Sequence, residues 1–207
     1  MIGNGKILAV AFLTTTALSG VAFAEDWNGP FIGLKAGYTG LGSNFTDSGF
    51  PVNKDATLSG GLLGVRGGFN AQLDNGLVLG LVGDFSFSNA SGSGLFFGAG
   101  SPFKLDLRNL GTAQVRAGMT LGADNNTLLF VNGGLAFAQV DLSGYPGSAS
   151  RSHMGFVIGA GIEHKLSDAI SIQADLSYVD LGKQTYNPGE AVKLNGLVAS
   201  VGVNFHF

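Results

Sequence analysis

Residues 66–84 read RGGFNAQLDNGLVLGLVGD, and this stretch decides the fold. After the Asp-Asn-Gly turn signal at 74–76, large apolar residues alternate with small or polar ones over 77–88. Such period-two alternation predicts a strand with one apolar face, and Asn-Gly between two runs of this kind predicts a tight hairpin. Arg66 and Asp84 lie nine residues on either side of the turn's centre, so the hairpin places them opposite each other on one face.

The same alternation divides the chain after residue 24 into eight segments. They lie near residues 30–39, 57–72, 77–89, 105–121, 127–141, 153–166, 169–182 and 193–207. Each segment can cross a bilayer, which takes a tilted strand of about 9 to 11 residues. Long connections at 40–56, 90–104, 142–152 and 183–192 alternate with short ones at 74–76, 122–126 and 167–168. The sequence therefore predicts an all-β fold, an eight-stranded antiparallel transmembrane barrel with long extracellular loops and short periplasmic turns.

The N-terminus predicts export to the cell outer membrane. Residues 1–24 combine a weakly basic start, an uncharged apolar run and a small-residue end at Ala22-Phe23-Ala24. This is the pattern of a cleaved signal peptide, so we expect residues 25–207 to form the mature barrel.

Composition excludes several other classes of protein. After residue 24 there is no uninterrupted apolar run of about 18 residues, which excludes a helical membrane span. The net charge of −3 without a basic run makes nucleic acid an unsuitable partner. The 35 glycines and the absence of cysteine indicate a chain that is neither helical nor held together by disulfides.

Alternation also turns charged residues toward the barrel interior. The predicted interior polar network consists of Lys35, Arg66, Asp84, Arg116, Asn132, Glu163 and Asp175. Counting across the turn at 122–126 places Arg116 opposite Asn132. An arginine or lysine facing lipid near the midplane would cost about 2 to 4 kcal/mol, whereas inside the barrel it can pair with a carboxylate. Because an eight-stranded barrel has room only for its own side chains, these charges predict a filled polar core, not a water-filled pore.

Three segments carry a resemblance to a known family. The stretches WNGPFIGLKAGY (27–38), ADLSYVDLG (174–182) and VGVNFHF (201–207) resemble the opacity-type, OmpA-like small outer-membrane barrels of Gram-negative bacteria, often called the porin family. The resemblance covers the whole mature chain. It implies a C-terminal signal for the barrel assembly machinery, carried here by Ser200, Gly202, Phe205 and Phe207. In the alternative interpretation, the two phenylalanines belong to the periplasmic aromatic girdle.

Enzymatic, cofactor and metal chemistry find little support in the sequence. Ser152 and His153 are adjacent on a predicted strand, so their side chains point to opposite faces. His164 and His206 lie near the periplasmic ends, away from the outer leaflet. We therefore expect no nucleophile and base within reach on one face, and no enzymatic activity. With scattered histidines and no cysteine, we also expect no metal site and no cofactor.

The second long connection contains an apolar group that is unusual for an exposed loop. Leu95, Phe96, Phe97 and Phe103 stand there among Gly, Ser and Ala. Exposed apolar patches mark contact sites, which suggests a loop that touches a surface partner or lipopolysaccharide. In the alternative interpretation, the rings join the upper aromatic girdle or fold over the barrel mouth.

The expected function is structural. The resemblance implies a non-enzymatic protein that supports envelope integrity and makes contacts or adhesion through its loops. A small-solute porin is the second hypothesis, and a lipid A-modifying enzyme is the third. The expected partners are outer-membrane lipid and lipopolysaccharide, the barrel assembly machinery, periplasmic chaperones and a surface partner reached through the loops.

Overall fold

The computed structural model describes residues 27–47, 56–96, 101–144, 148–187 and 190–207. The predicted signal peptide lies outside the described residues. Nine strands make up most of these ranges: β1 (Gly29–Asp47), β2 (Ala56–Gln72), β3 (Leu77–Ser88), β4 (Ser91–Phe96), β5 (Ser101–Leu121), β6 (Thr127–Gly144), β7 (Ala149–Ser167), β8 (Ile170–Asn187) and β9 (Glu190–His206). No helix in this part of the chain is long and apolar enough to cross a membrane.

The antiparallel sheet closes on itself. β1 pairs with β2 on one side and with β9 on the other, and the remaining neighbours in the ring follow chain order except around β3 and β4. β3 and β4 share one place, because both lie between β2 and β5. The ring therefore has eight positions, which confirms the predicted eight-stranded barrel.

The two faces of the wall follow the predicted alternation. On β3, Leu81 and Phe87 point outward with 65% and 68% of their surface exposed, whereas Val82 and Asp84 are buried inside. Every ring position exposes large apolar side chains on its outer face. Together these side chains form the apolar belt, centred on Leu34, Leu63, Leu81, Val115, Val131, Ile158, Leu176 and Val201. A continuous exposed band of this kind is suited to lipid and would be a liability in water.

The barrel has two distinct ends. The turn end carries the short connections at 73–76, 122–126 and 168–169 together with Phe207. The loop end carries the connections between β1 and β2, β4 and β5, β6 and β7, and β8 and β9.

The strands continue far beyond the apolar belt at the loop end, which corrects the predicted loop lengths. β5 has 21 residues and β1 has 19, whereas a bilayer needs about 9 to 11 residues per strand. The segment 90–104, predicted to be a long loop, instead contains β4 and the start of β5, which pair from Ser91↔Asp106 to Phe96↔Ser101. Sequence periodicity missed these extensions because the polarity of the two faces reverses outside the membrane.

This reversal is visible on β5. Leu105 and Leu107 point inward and are buried, while Lys104 and Arg108 point outward, and a register shift between Leu107 and Asn109 changes which residues face inward. Inward apolar residues fill the loop-end half of the interior. This loop-end plug consists of Leu41, Leu58, Leu62, Ala90, Phe103, Leu105, Leu107, Leu110, Ala136, Ala138, Val140, Leu142, Val157, Val179, Leu181, Val192, Leu194 and Val198. The expectation of a polar core is thus wrong for this half, where the wall faces water outside and must bury its apolar side chains inside.

Candidate functional site

The interior of the turn-end half holds the charged side chains, and Asp84 is the first centre of this network. Its carboxylate accepts hydrogen bonds from Lys35 Nζ at 3.2 Å and from Arg66 Nη2 at 3.1 Å. Thr112 Oγ1 and Gln114 Nε2 donate to the other oxygen at 2.9 and 3.0 Å. The ladder pairs Arg66 directly with Asp84, the arrangement that the turn spacing predicts. Two cations and two neutral donors therefore compensate the burial of one carboxylate.

Glu163 is the second centre. It accepts hydrogen bonds from Arg116 Nη1 at 2.8 Å, from Ser171 Oγ at 2.5 Å and from Asn204 Nδ2 at 2.6 Å. The Arg116 guanidinium also lies 4.1 Å from the centroid of the Phe130 ring, which is a cation–π contact. Arg116 and Glu163 are both almost completely buried, so their pairing removes two charges from water at once.

Asp175 connects the two centres. Its Oδ2 accepts from Gln173 Nε2 at 3.1 Å and from Ser200 Oγ at 3.0 Å, and it lies 3.5 Å from Arg66 Nη2. Gln173 in turn accepts from Arg116 Nη2 at 2.8 Å. Lys35, Arg66, Asp84, Asp175, Arg116 and Glu163 thus belong to one continuous network.

Asn132 takes a different place from the other members of the predicted set. The ladder pairs it with Arg116, as counted from the turn, but the guanidinium bonds to Glu163. The amide oxygen of Asn132 is buried without a hydrogen-bond partner in the described structure. The partner of Arg116 lies on β7, which is not paired with β5, so sequence spacing across one turn could not assign this ion pair.

Trp27 closes the turn end, and sequence reasoning did not find this role. Its side chain is fully buried, and its indole Nε1 donates to the Asn125 carbonyl at 2.9 Å. Lys165 Nζ lies 5.2 Å from the ring centroid, and the His206 ring packs edge-on at 5.7 Å. Because Trp27 precedes the first strand, alternation gives no signal for it.

The apolar group that was predicted to form a loop contact is distributed differently. Phe103 is 2% exposed and belongs to the loop-end plug, where its ring lies against Gly94. The contact hypothesis is therefore wrong for Phe103, whose inward position fits the alternative of rings folded over the mouth. Leu95 and Phe96 lie on β4, and Phe97 lies outside the described residues.

The histidines require one correction. Ser152 is exposed and His153 is buried, so they occupy opposite faces as predicted. However, Ser171 Oγ lies 2.9 Å from His206 Nε2, and the same nitrogen is 3.4 Å from Glu163 Oε1. The expectation that no hydroxyl and imidazole meet on one face is therefore wrong.

This Ser–His–Glu group lacks the arrangement of a catalytic triad. In a triad, the carboxylate binds the imidazole nitrogen remote from the nucleophile, whereas here serine and carboxylate contact the same nitrogen. The Ser171 hydroxyl donates directly to Glu163, and both side chains are fully buried beneath Trp27 and Phe31. The group works as a hydrogen-bonded support for Glu163.

The predicted assembly-signal residues lie on β9 with two orientations. Ser200 points inward and donates to Asp175, and a side chain at Gly202 would approach the Leu34 carbonyl. Phe205 and Phe207 point outward and are about half exposed at the turn-end edge of the apolar belt.

The described residues offer no metal site, and two grooves lie on the outer wall of the barrel. The described residues contain no group of three or more histidine, aspartate or glutamate side chains that could hold a metal ion. Two grooves of about 540 and 900 Å³ lie on the wall and are lined largely by outward apolar residues such as Leu34, Ala36 and Val201. Their position suits acyl chains of the surrounding lipid.

Comparison with known proteins places the chain in a family. The family model for the outer membrane protein beta-barrel domain matches residues 7–207. The 31 kDa outer-membrane immunogenic protein of Brucella melitensis is 30% identical over 204 residues, covering 88% of this chain and 84% of the relative. The 25 kDa outer-membrane immunogenic protein of Brucella abortus is 28% identical over 192 residues, covering 90% and 82%.

A solved structure agrees on the fold. The outer membrane protein OprG of Pseudomonas aeruginosa superposes with a TM-score of 0.52 at 13% sequence identity, covering 88% of this chain and 98% of that one. Sequence family and architecture thus point the same way: the chain belongs to the outer membrane protein beta-barrel family, the OmpA-like small barrels of Gram-negative bacteria, and it resides in the cell outer membrane.

Proposed function

We propose that this protein is a non-enzymatic barrel with a structural and surface-interaction role, presenting its loop end outside the cell. The carrying observation is that buried side chains occupy each layer of the interior formed by the described residues. Trp27 covers the turn end, the charged network occupies the next layers, and the loop-end plug fills the rest. Such an interior leaves the outer surface and the loop end as the parts that can meet a partner.

The filled interior argues against the second hypothesis, a small-solute porin. A conducting path would have to cross the loop-end plug, where Leu105, Leu107 and Leu194 are buried side by side with other apolar residues. It would then have to break the ion pairs around Asp84 and displace Trp27. The enclosed Ser171 and His206 likewise give no support to lipid A modification.

The names of the relatives fit an outward-facing loop end. The two Brucella proteins are called outer-membrane immunogenic proteins, and for this chain the proposal is a loop end exposed at the cell surface. The proposal also includes the route to the membrane. Residues 1–24 are removed on export, periplasmic chaperones accompany the chain, and the barrel assembly machinery recognises Ser200, Gly202, Phe205 and Phe207. Deleting Phe207 should lower the folded amount in outer membranes while leaving refolding of the purified protein largely intact.

Planar-bilayer conductance tests the filled interior. We expect the refolded mature protein, residues 25–207, to give no defined openings at high salt. An Arg66→Ala variant serves as the comparison, because it removes one interior cation without opening the plug or Trp27. Steady openings of the wild-type protein would reject the structural role and favour small-solute transport.

Cysteine labelling tests the orientation, and the absence of native cysteine makes each introduced thiol unique. Ser148 lies exposed at the loop end and Asp124 lies exposed at the turn end. In intact cells, we expect a membrane-impermeant maleimide to label Ser148→Cys and to spare Asp124→Cys, with both labelled after lysis. The reverse pattern would place the turn end outside and contradict the proposal.

A further inference from the structure

Charged side chains form an outward-facing collar at the loop end, beyond the apolar belt. One part of this collar, on β5 and β6, is electrically balanced. Lys104 Nζ lies 2.7 Å from Asp106 Oδ1, and Arg108 Nε donates to Asp141 Oδ2 at 2.6 Å. Each cation there has its own carboxylate, so this sector has no excess charge to offer a ligand.

The sector on β8 and β9 is different, because two lysines face each other across the ladder. The register pairs Lys183 directly with Lys193. Asp180 Oδ2 lies 2.9 Å from Lys193 Nζ, and this hydrogen bond raises the pKa of the lysine and keeps it charged. Lys183 has no ion pair with any described side chain. Like charges directly opposite each other destabilise a sheet, so a contribution to folding does not explain why two lysines stand at these positions.

A local irregularity of the backbone creates the lysine pair. The register shifts between Asp180 and Lys183, where two residues of β8, Leu181 and Gly182, lie opposite the single residue Leu194 of β9. Gly182 has a φ of +66°, and its N–H donates to Asp180 Oδ1 at 2.8 Å. Without the shift, Gly182 would stand opposite Lys193. Bulges commonly re-aim side chains at functional positions, and this one places Lys183 opposite Lys193 in the ladder.

The distance of the lysine pair from the apolar belt, measured along the membrane normal, indicates which layer of the membrane the lysines contact. Lys193 lies four residues beyond Leu197, the last large apolar side chain that points outward in the described part of β9. At about 3.3 Å per residue and a tilt of about 40°, the displacement is about 10 Å along the membrane normal. The polar headgroup layer is about 5 to 7 Å thick on each side, and lysine side chains can reach back toward it. The two ammonium groups therefore lie at the level of lipid headgroups.

We propose that Lys183 and Lys193 together bind a phosphate group of an anionic glycolipid in the leaflet at the loop end. One phosphate can accept hydrogen bonds from both ammonium groups and cancel the repulsion between them. The identity of the lipid as a phosphorylated lipopolysaccharide rests on the proposed function, which places the loop end outside. The balanced β5–β6 sector supplies an internal comparison at the same side of the membrane.

Binding of fluorescently labelled lipopolysaccharide to the refolded mature protein in zwitterionic micelles tests the site. We expect the double variant Lys183→Gln/Lys193→Gln to bind about thirtyfold more weakly than wild type. The matched variant Lys104→Gln/Arg108→Gln removes two cations from the balanced sector and should change binding less than threefold. An equal loss of binding in both double variants would mean that lipopolysaccharide responds only to the overall charge of the protein. That result would overturn the proposed site.

The ligand group is tested separately. Lipopolysaccharide stripped of phosphate should bind the wild type as weakly as intact lipid binds the lysine double variant, and inorganic phosphate should compete only at far higher concentration. Equal binding of stripped lipid would overturn phosphate as the recognised group, and inorganic phosphate as effective as the lipid would overturn a lipid ligand.

Stability and orientation give independent readouts. Without lipid, Lys183→Gln should raise the unfolding midpoint slightly, because it removes repulsion; a lowered midpoint would show that the pair serves folding and would overturn the proposal. Both ends of the barrel are open to solution in micelles. Binding therefore tests the lysine site, whereas labelling in cells tests the orientation, and either can fail alone.

Discussion

The interior ion pair between Arg116 and Glu163 offers a demanding test of how the barrel is held together. Glu163→Gln keeps the shape of the side chain and removes its charge. The guanidinium of Arg116 would then keep the Gln173 amide oxygen and the Phe130 ring but lose its carboxylate. Glutamine can still accept from Ser171 or Asn204, so the packing around position 163 is retained.

The expected loss follows from burial. Both side chains of the pair are 1% exposed or less. Removing one partner of a buried pair costs about 3 to 5 kcal/mol, and the retained neutral hydrogen bonds favour the lower limit. With a urea dependence of about 2 kcal/mol per M, a loss of about 3 kcal/mol lowers the unfolding midpoint by roughly 1.5 M. The double variant Arg116→Met/Glu163→Leu leaves no buried charge unpaired and should be more stable than Glu163→Gln.

Folded and unfolded barrels can be separated by their gel mobility after incubation at increasing urea concentrations. Asp141→Asn is the matched control, because it breaks the solvent-exposed pair with Arg108 and should cost less than about 1 kcal/mol. A midpoint for Glu163→Gln within about 0.3 M of wild type would refute the reasoning, since the pair would then contribute no more than an exposed one.

Three further substitutions test the lipid-facing wall, the turn-end closure by Trp27 and the loop-end plug. The measured quantity is the urea midpoint of unfolding, read from gel mobility. Leu81→Arg places a charge at the centre of the apolar belt and should cost about 2 to 4 kcal/mol in lipid vesicles; an unchanged midpoint would mean that Leu81 does not face lipid. Trp27→Ala should cost about 3 kcal/mol by emptying the turn-end closure, and Phe103→Ala a similar amount at the loop-end plug. If both of these variants matched wild type, the two ends would be closed by other residues.

Sequence alone predicted the membrane part of the fold well, because there the physics is simple. Lipid outside and a narrow interior impose one alternation, and the Asp-Asn-Gly turn fixes the register that brings Arg66 to Asp84. The partner of Arg116 could not be predicted in this way, since Glu163 reaches it from a strand that is not its ladder neighbour.

The loop-end half escaped prediction for two physical reasons. Water replaces lipid outside the wall, so apolar residues such as Leu105 move to the inner face and polar ones such as Lys104 to the outer face. Register shifts at Leu107/Asn109 and at Asp180/Lys183 then change the phase of the alternation along the strand. Each effect on its own weakens the period-two signal, and together they made paired strands resemble loops.

The position of Trp27 also makes it a spectroscopic probe of the last step of folding. It is the only tryptophan of the chain, and its neighbours come from the β5–β6 turn, from β7 and from the end of β9. These groups converge only when the first and last strands have joined. A change in tryptophan emission during refolding would therefore time the closure of the ring separately from the earlier pairing of hairpins, with no added label.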